Sequence, residues 1–164
     1  MRSNTWKKGM LLALASMALP VLALAATHDA LVGTWKVQVT QVDCSSGNPL
    51  GHTFTSMITF ELGGTMIEDT TNPAFGRGQR GDGQGTWSST GASTYSAKTT
   101  AFIKYTTPPN SKTHNPGFEE GQQTISQKIT YASGQWNSTA AVTFADGSGS
   151  VYRQGCAVAT GTPF

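Results

Sequence analysis

From Gly33 onward, apolar side chains recur at every second position in short runs separated by turn residues, and no window holds a helical period. The pattern therefore predicts strands throughout. The first, Gly33 to Val42, puts Trp35, Val37 and Val39 on one face and Lys36, Gln38 and Thr40 on the other. A second, Phe54 to Leu62, sets Ile58, Phe60 and Leu62 against Met57, Thr59 and Glu61. A two-residue Gly63-Gly64 turn would return it as Thr65 to Thr71, with Ile67 and Asp69 inward and Met66 and Glu68 outward.

A short strand around Trp87 and a long one from Thr94 to Tyr105 follow, the latter facing inward with Tyr95, Ala97, Thr99, Ala101 and Ile103. Three more are expected at Gln122 to Tyr131, Gln135 to Ala145 and Val151 to about Ala159. Two longer loops interrupt the series, the glycine-rich stretch from Pro73 and the proline-bearing segment Thr106 to Glu120. Eight antiparallel neighbours left as an open sheet would expose two edges. Closing the sheet removes both. The fold expected is all-β, an eight-stranded antiparallel up-and-down barrel, with a two-sheet sandwich as the competing arrangement.

The residues ahead of the first strand carry a different signal. Arg2, Lys7 and Lys8 precede an apolar run from Met10 to Leu19, and Ala23-Leu24-Ala25 offers the small residues of a cleavage site. Residues 1–26 are thus expected to be a removed export signal, and 27–164 one barrel domain that is secreted or periplasmic and has no membrane span. Three of the 11 Lys and Arg fall in that segment, leaving 8 against 9 Asp and Glu. Such a balance offers no basic stripe for nucleic acid. Export also sets the expectation for the two cysteines: Cys44 and Cys156 should form a bridge rather than remain two buried thiols. Set opposite each other on the first and last strands, they would staple the barrel seam, face outward and bring Phe164 near Lys36.

Gly33-Thr34-Trp35, in an exported eight-strand chain of this size, resembles the G-x-W pattern of lipocalins and the wider calycin superfamily. The chain is most similar to the small lipocalin-like barrels that bacteria export. The resemblance implies that Trp35 plugs the closed end, that an arginine of the last strand, here Arg153, lies across it, and that the lumen holds a small, mostly apolar molecule.

The side chains that alternation sends inward fit a lumen of that kind. Its wall would carry Trp35, Ile58, Phe60, Trp87, Tyr95, Ile103, Ile125, Ile129, Tyr131, Trp136, Val142 and Phe144, interleaved with Asp69, Thr99, Gln123, Gln127, Ser138 and Arg153. Ala97, Ala101, Ala140, Gly155, Ala157 and Ala159 leave room, and the buried polar groups need partners. The function expected is binding of a small hydrophobic or amphipathic molecule. The alternatives are a cofactor-free cyclase or isomerase that confines a flexible substrate, and a solid-core barrel with an interaction role. An Asp69–Arg153 pair is expected inside, either structural or with Arg153 meeting a carboxylate or enolate and Asp69 acting as a base.

Three readings compete for Gly76-Arg77-Gly78-Gln79-Arg80-Gly81-Asp82. A dinucleotide loop needs a strand before it and a helix after it, and the pattern supplies no helix. The tripeptide Arg80-Gly81-Asp82 would matter for adhesion only at an exposed tip. A mouth loop is expected instead, with Phe75 folded over the opening and Arg77 and Arg80 at the rim. His28, His52 and His114 show no metal-ligand spacing, so neither a metal nor another cofactor is expected, and no catalytic constellation appears.

Overall fold

The computed structural model describes residues 29–105 and 119–164, so the expected export signal, His28, His114 and most of the second long loop lie outside the described residues. Eight strands follow one another: β1 (Gly33–Val42), β2 (Pro49–Phe60), β3 (Thr65–Thr70), β4 (Gly83–Gly91), β5 (Thr94–Tyr105), β6 (Glu119–Ala132), β7 (Gln135–Ala145) and β8 (Val151–Pro163). Each pairs antiparallel with the next, and β8 pairs with β1, giving a closed up-and-down barrel. Closure leaves no free sheet edge, as the expected fold required. Among the described residues no helix is long and apolar enough to cross a membrane.

The seam register runs from Trp35 opposite Pro163 to Val42 opposite Cys156. It is displaced by two residues from the expected one, so Phe164 reaches Thr34 rather than Lys36, donating its backbone N–H to the Thr34 carbonyl at 3.0 Å. The reason is where β1 stops. Cys44 lies two residues beyond Val42, in the turn after the strand, and joins Cys156 on a diagonal with a Cα–Cα distance of 5.2 Å.

The β2–β3 connection departs from expectation in a way that reverses one strand. Phe60 faces Met66 and Ile58 faces Glu68, while the Glu61 N–H bonds the Thr65 carbonyl at 2.9 Å. The loop is therefore three residues, Leu62 to Gly64, with both glycines at positive φ (100° and 91°). One extra loop residue turns over every side chain that follows. Met66 and Glu68 are buried inside the barrel, and Ile67 and Asp69 are exposed outside. Asp69 is thus not a lumen residue, and the inner carboxylate is Glu68.

Rings fill one end of the barrel. Trp35 packs edge-on to Tyr131 (6.2 Å between centroids) and Trp136 (6.3 Å), Phe60 bridges Trp136 and Trp87, and Trp87 meets Tyr95 at 5.8 Å. Leu31, fully buried, lies across this end and accepts the Trp35 indole N–H on its carbonyl at 2.8 Å. Trp136 is also fully buried, seated against Gly161, where an added Cβ would collide with the indole. The expected plug is present, built by Trp35 with its neighbours. Arg153 takes no part in it.

Tyr95 closes the ring series. Burial, then a hydrogen bond to the Asp29 carboxylate, pushes its phenol up to about 12. A folded value above the unfolded one, near 10, favours the folded state below pH ~10 and withdraws that contribution as pH rises toward ~12. We expect stability to fall across pH 10 to 12, and Tyr95→Phe to flatten that fall. Denaturant midpoints at stepped alkaline pH check this, with tyrosinate absorbance showing one phenol ionising late.

Candidate functional site

The connections after β1, β3 and β7 lie, with the C-terminal end of β5 and the start of β6, at the end opposite the ring plug, the open end. Below this mouth lies a cavity of about 360 Å³. Its walls run from Val37, Ile58 and Ser138 at mid-barrel to Leu50, Asn72 and Arg153 at the rim, with Ile125, Ala140, Val142, Ala157 and Ala159 between them. The small residues on β7 and β8 are what make the space: Ala140 lies opposite Ala157, and Ala159 opposite Ser138. The volume falls in the range of small-molecule sites, and the wall presents more apolar than polar surface.

The lumen residues expected from alternation divide into two groups. Trp35, Phe60, Trp87, Tyr95, Tyr131 and Trp136 stand in the ring plug and Thr99 is buried beside it, its hydroxyl donating to the Met66 sulfur at 3.5 Å. Gln123, Gln127 and Arg153 line the cavity itself. Arg153 sits at the rim, exposed, with its guanidinium 4.1 Å from the Phe144 ring centre. An Asp69–Arg153 pair does not form, since the two side chains lie on different faces of the wall.

A different ion pair occupies the interior. Arg80, expected at the rim, turns inward and forms a buried salt bridge with Glu68. The cause is a one-residue shift in the wall. Gln84 lies opposite Thr100, but Arg80 lies opposite Ile103, so an even-numbered residue shares the inward side with buried Ile103. Backbone bonds from Gly81 N to Phe102 O (3.0 Å) and from Lys104 N to Gln79 O (2.7 Å) pin the segment to β5. The β3–β4 ladder ends at Glu68 opposite Gly83, and the ion pair joins the wall just beyond that point. An added Cβ at Gly83 would run into the Glu68 side chain, so the glycine makes room for the carboxylate.

The pair is held from several sides. Arg80 Nε donates to Gln123 Oε1 at 2.6 Å, and one terminal nitrogen donates to the Gly81 carbonyl at 3.1 Å. The Ser56 hydroxyl is shared between Glu68 Oε1 at 3.5 Å and Thr70 Oγ1 at 2.9 Å. Deeper in the lumen, Ser138 Oγ donates to Gln127 Oε1 at 3.2 Å.

The same geometry settles what the glycine-rich stretch presents. Phe75 is half-buried, its ring 6.4 Å from that of Phe144 and 6.0 Å from the Arg80 guanidinium, so it does fold against the mouth. Arg77 stays exposed. The adhesion tripeptide is not displayed, because the Arg80 guanidinium is committed to Glu68 and Gln123 inside the wall.

No family model, no curated protein and no solved structure matches this chain. The fold and the site define it as a closed eight-stranded antiparallel β-barrel, sealed by rings at one end and cystine-linked beside a cavity at the other.

Proposed function

We propose that this is an exported, lipocalin-like protein that takes up a small hydrophobic or amphipathic molecule through the open end of the barrel. The observation that carries the reading is the cavity of about 360 Å³, walled by valine, isoleucine and alanine and reaching the rim at Leu50 and Arg153. A core meant only to be solid would fill such a space, because voids forfeit packing contacts. The contrast within one barrel supports this: the rings pack one end without need of a guest, while paired alanines hold the other end apart. Export agrees with the Cys44–Cys156 bridge, which persists in oxidising compartments.

Native mass spectrometry of protein purified from its own source should reveal a retained small molecule. With a neutral fluorescent probe, N-phenyl-1-naphthylamine, the wild-type protein should show saturable uptake. Ala140→Phe, which places a ring in the space opposite Ala157, should weaken uptake at least tenfold while circular dichroism stays barrel-like. Equal uptake by both proteins would discard the lumen as the binding site.

A further inference from the structure

We infer that the lumen selects a guest carrying hydrogen-bond acceptor oxygens without donors, such as a ketone or ester on an apolar chain. The inference rests on the lumen-binding reading above and specifies its ligand class. It comes from a count of which polar atoms in the wall are already engaged.

Deep in the lumen, each carboxylate and carboxamide oxygen already has a donor. Glu68 Oε2 is held by Arg80 and Glu68 Oε1 faces the Ser56 hydroxyl. Gln123 Oε1 receives the Arg80 Nε–H, and Gln127 Oε1 receives the Ser138 hydroxyl. The donors are in surplus. Among the described residues, the amide nitrogens of Gln123 and Gln127 have no hydrogen-bond partner, although these residues are only 5% and 7% exposed and both line the cavity. A carboxamide offers two N–H donors, and these open onto the cavity, where an acceptor oxygen of a guest would meet them.

The orientation of Gln123 is not arbitrary. Arg80 has only donors to give, so it must meet the Gln123 oxygen, and that turns the Gln123 amide nitrogen away toward the cavity. The buried ion pair therefore has a part in recognition without touching the guest. Its own charges cancel, so the inner lumen asks for a neutral acceptor. Gln127, four residues further along β6 and with Ile125 between them, repeats the same donor deeper in the lumen. An amine would bring donors against donors.

The test displaces N-phenyl-1-naphthylamine with three molecules of one chain length: 2-decanone, which only accepts; 1-decene, which does neither; and decylamine, which donates and is charged. On wild-type protein 2-decanone should displace the probe at roughly tenfold lower concentration than 1-decene, with decylamine weakest. In Gln127→Leu combined with Ser138→Ala, the ketone's advantage over the alkene should shrink to about threefold, with Gln123 still donating and the alkene keeping its affinity. A second, near-isosteric variant, Gln127→Glu, should lose the ketone preference and gain decylamine. Equal displacement by ketone and alkene on the wild type, or a ketone advantage intact in both variants, overturns the selectivity while leaving lumen binding in place. Failure of the probe to enter at all overturns both.

Discussion

Replacing both cysteines, Cys44→Ser with Cys156→Ser, is expected to lower the unfolding free energy by about 4–5 kcal/mol. The bridge joins positions 112 residues apart, which is nearly the whole length of the barrel, so reduction frees the unfolded chain to explore far more conformations. The folded barrel would keep its shape, because the β1–β8 ladder continues from Val42 to Trp35 without help from the sulfurs. The loss should therefore appear in urea midpoints of the double variant and of reduced wild type alike, with little change in the circular dichroism of the native baseline. Equal midpoints with and without reductant would mean that the seam is held by its ladder alone.

The second large effect belongs to the ion pair inside the wall. Glu68→Ala should cost about 3–5 kcal/mol, because it strands a guanidinium whose side chain is only 3% exposed. The attraction itself contributes less than that figure, since desolvating both charges offsets much of it. Removing both partners with apolar residues of similar size, Glu68→Leu and Arg80→Met, should accordingly recover most of the loss. A double-mutant cycle by urea denaturation reads the difference. If the double variant were as unstable as Glu68→Ala, the stranded charge would not be the source of the cost.

These two features differ in how they were written into the chain. The cystine was legible because two cysteines in a chain expected to be exported have only each other, and closure of eight consecutive strands brings the first and last together. The bounds of β1, β5 and β7 also agree with the alternation, since each runs long and unbroken between turn residues. The face of β3 was not legible. Thr65 to Thr70 reads Thr-Met-Ile-Glu-Asp-Thr, so each parity carries one apolar residue and one acid, and the pattern reads the same either way up. Only the length of the preceding loop decides, and Gly63-Gly64 suits a two-residue turn as well as the three-residue loop that forms.

Arg80 was hidden for a related reason. Its inward direction depends on a shift of register between Arg80 and Gln84, inside a glycine-rich run that has no side-chain periodicity to reveal it. Its partner sits 12 residues earlier on a strand whose own orientation was ambiguous. Two one-residue errors, each invisible in composition, moved the interior charge pair from Glu68–Arg80 to Asp69–Arg153. The apolar outline of the lumen survived because β6, β7 and β8 carry it, and their alternation is unambiguous. Its hydrogen-bonding character did not, since that depends on which atoms are already spoken for.

The ring plug also determines what light can report. Trp35, Trp87 and Trp136 all stand at the sealed pole, within contact of other rings, while the cavity begins above them. Coupled indoles held edge to face should give a near-ultraviolet dichroism that senses melting of that pole and little else. A coloured guest would instead announce itself by drawing excitation from the indoles beneath it, so occupancy and integrity become two separate optical signals in one sample.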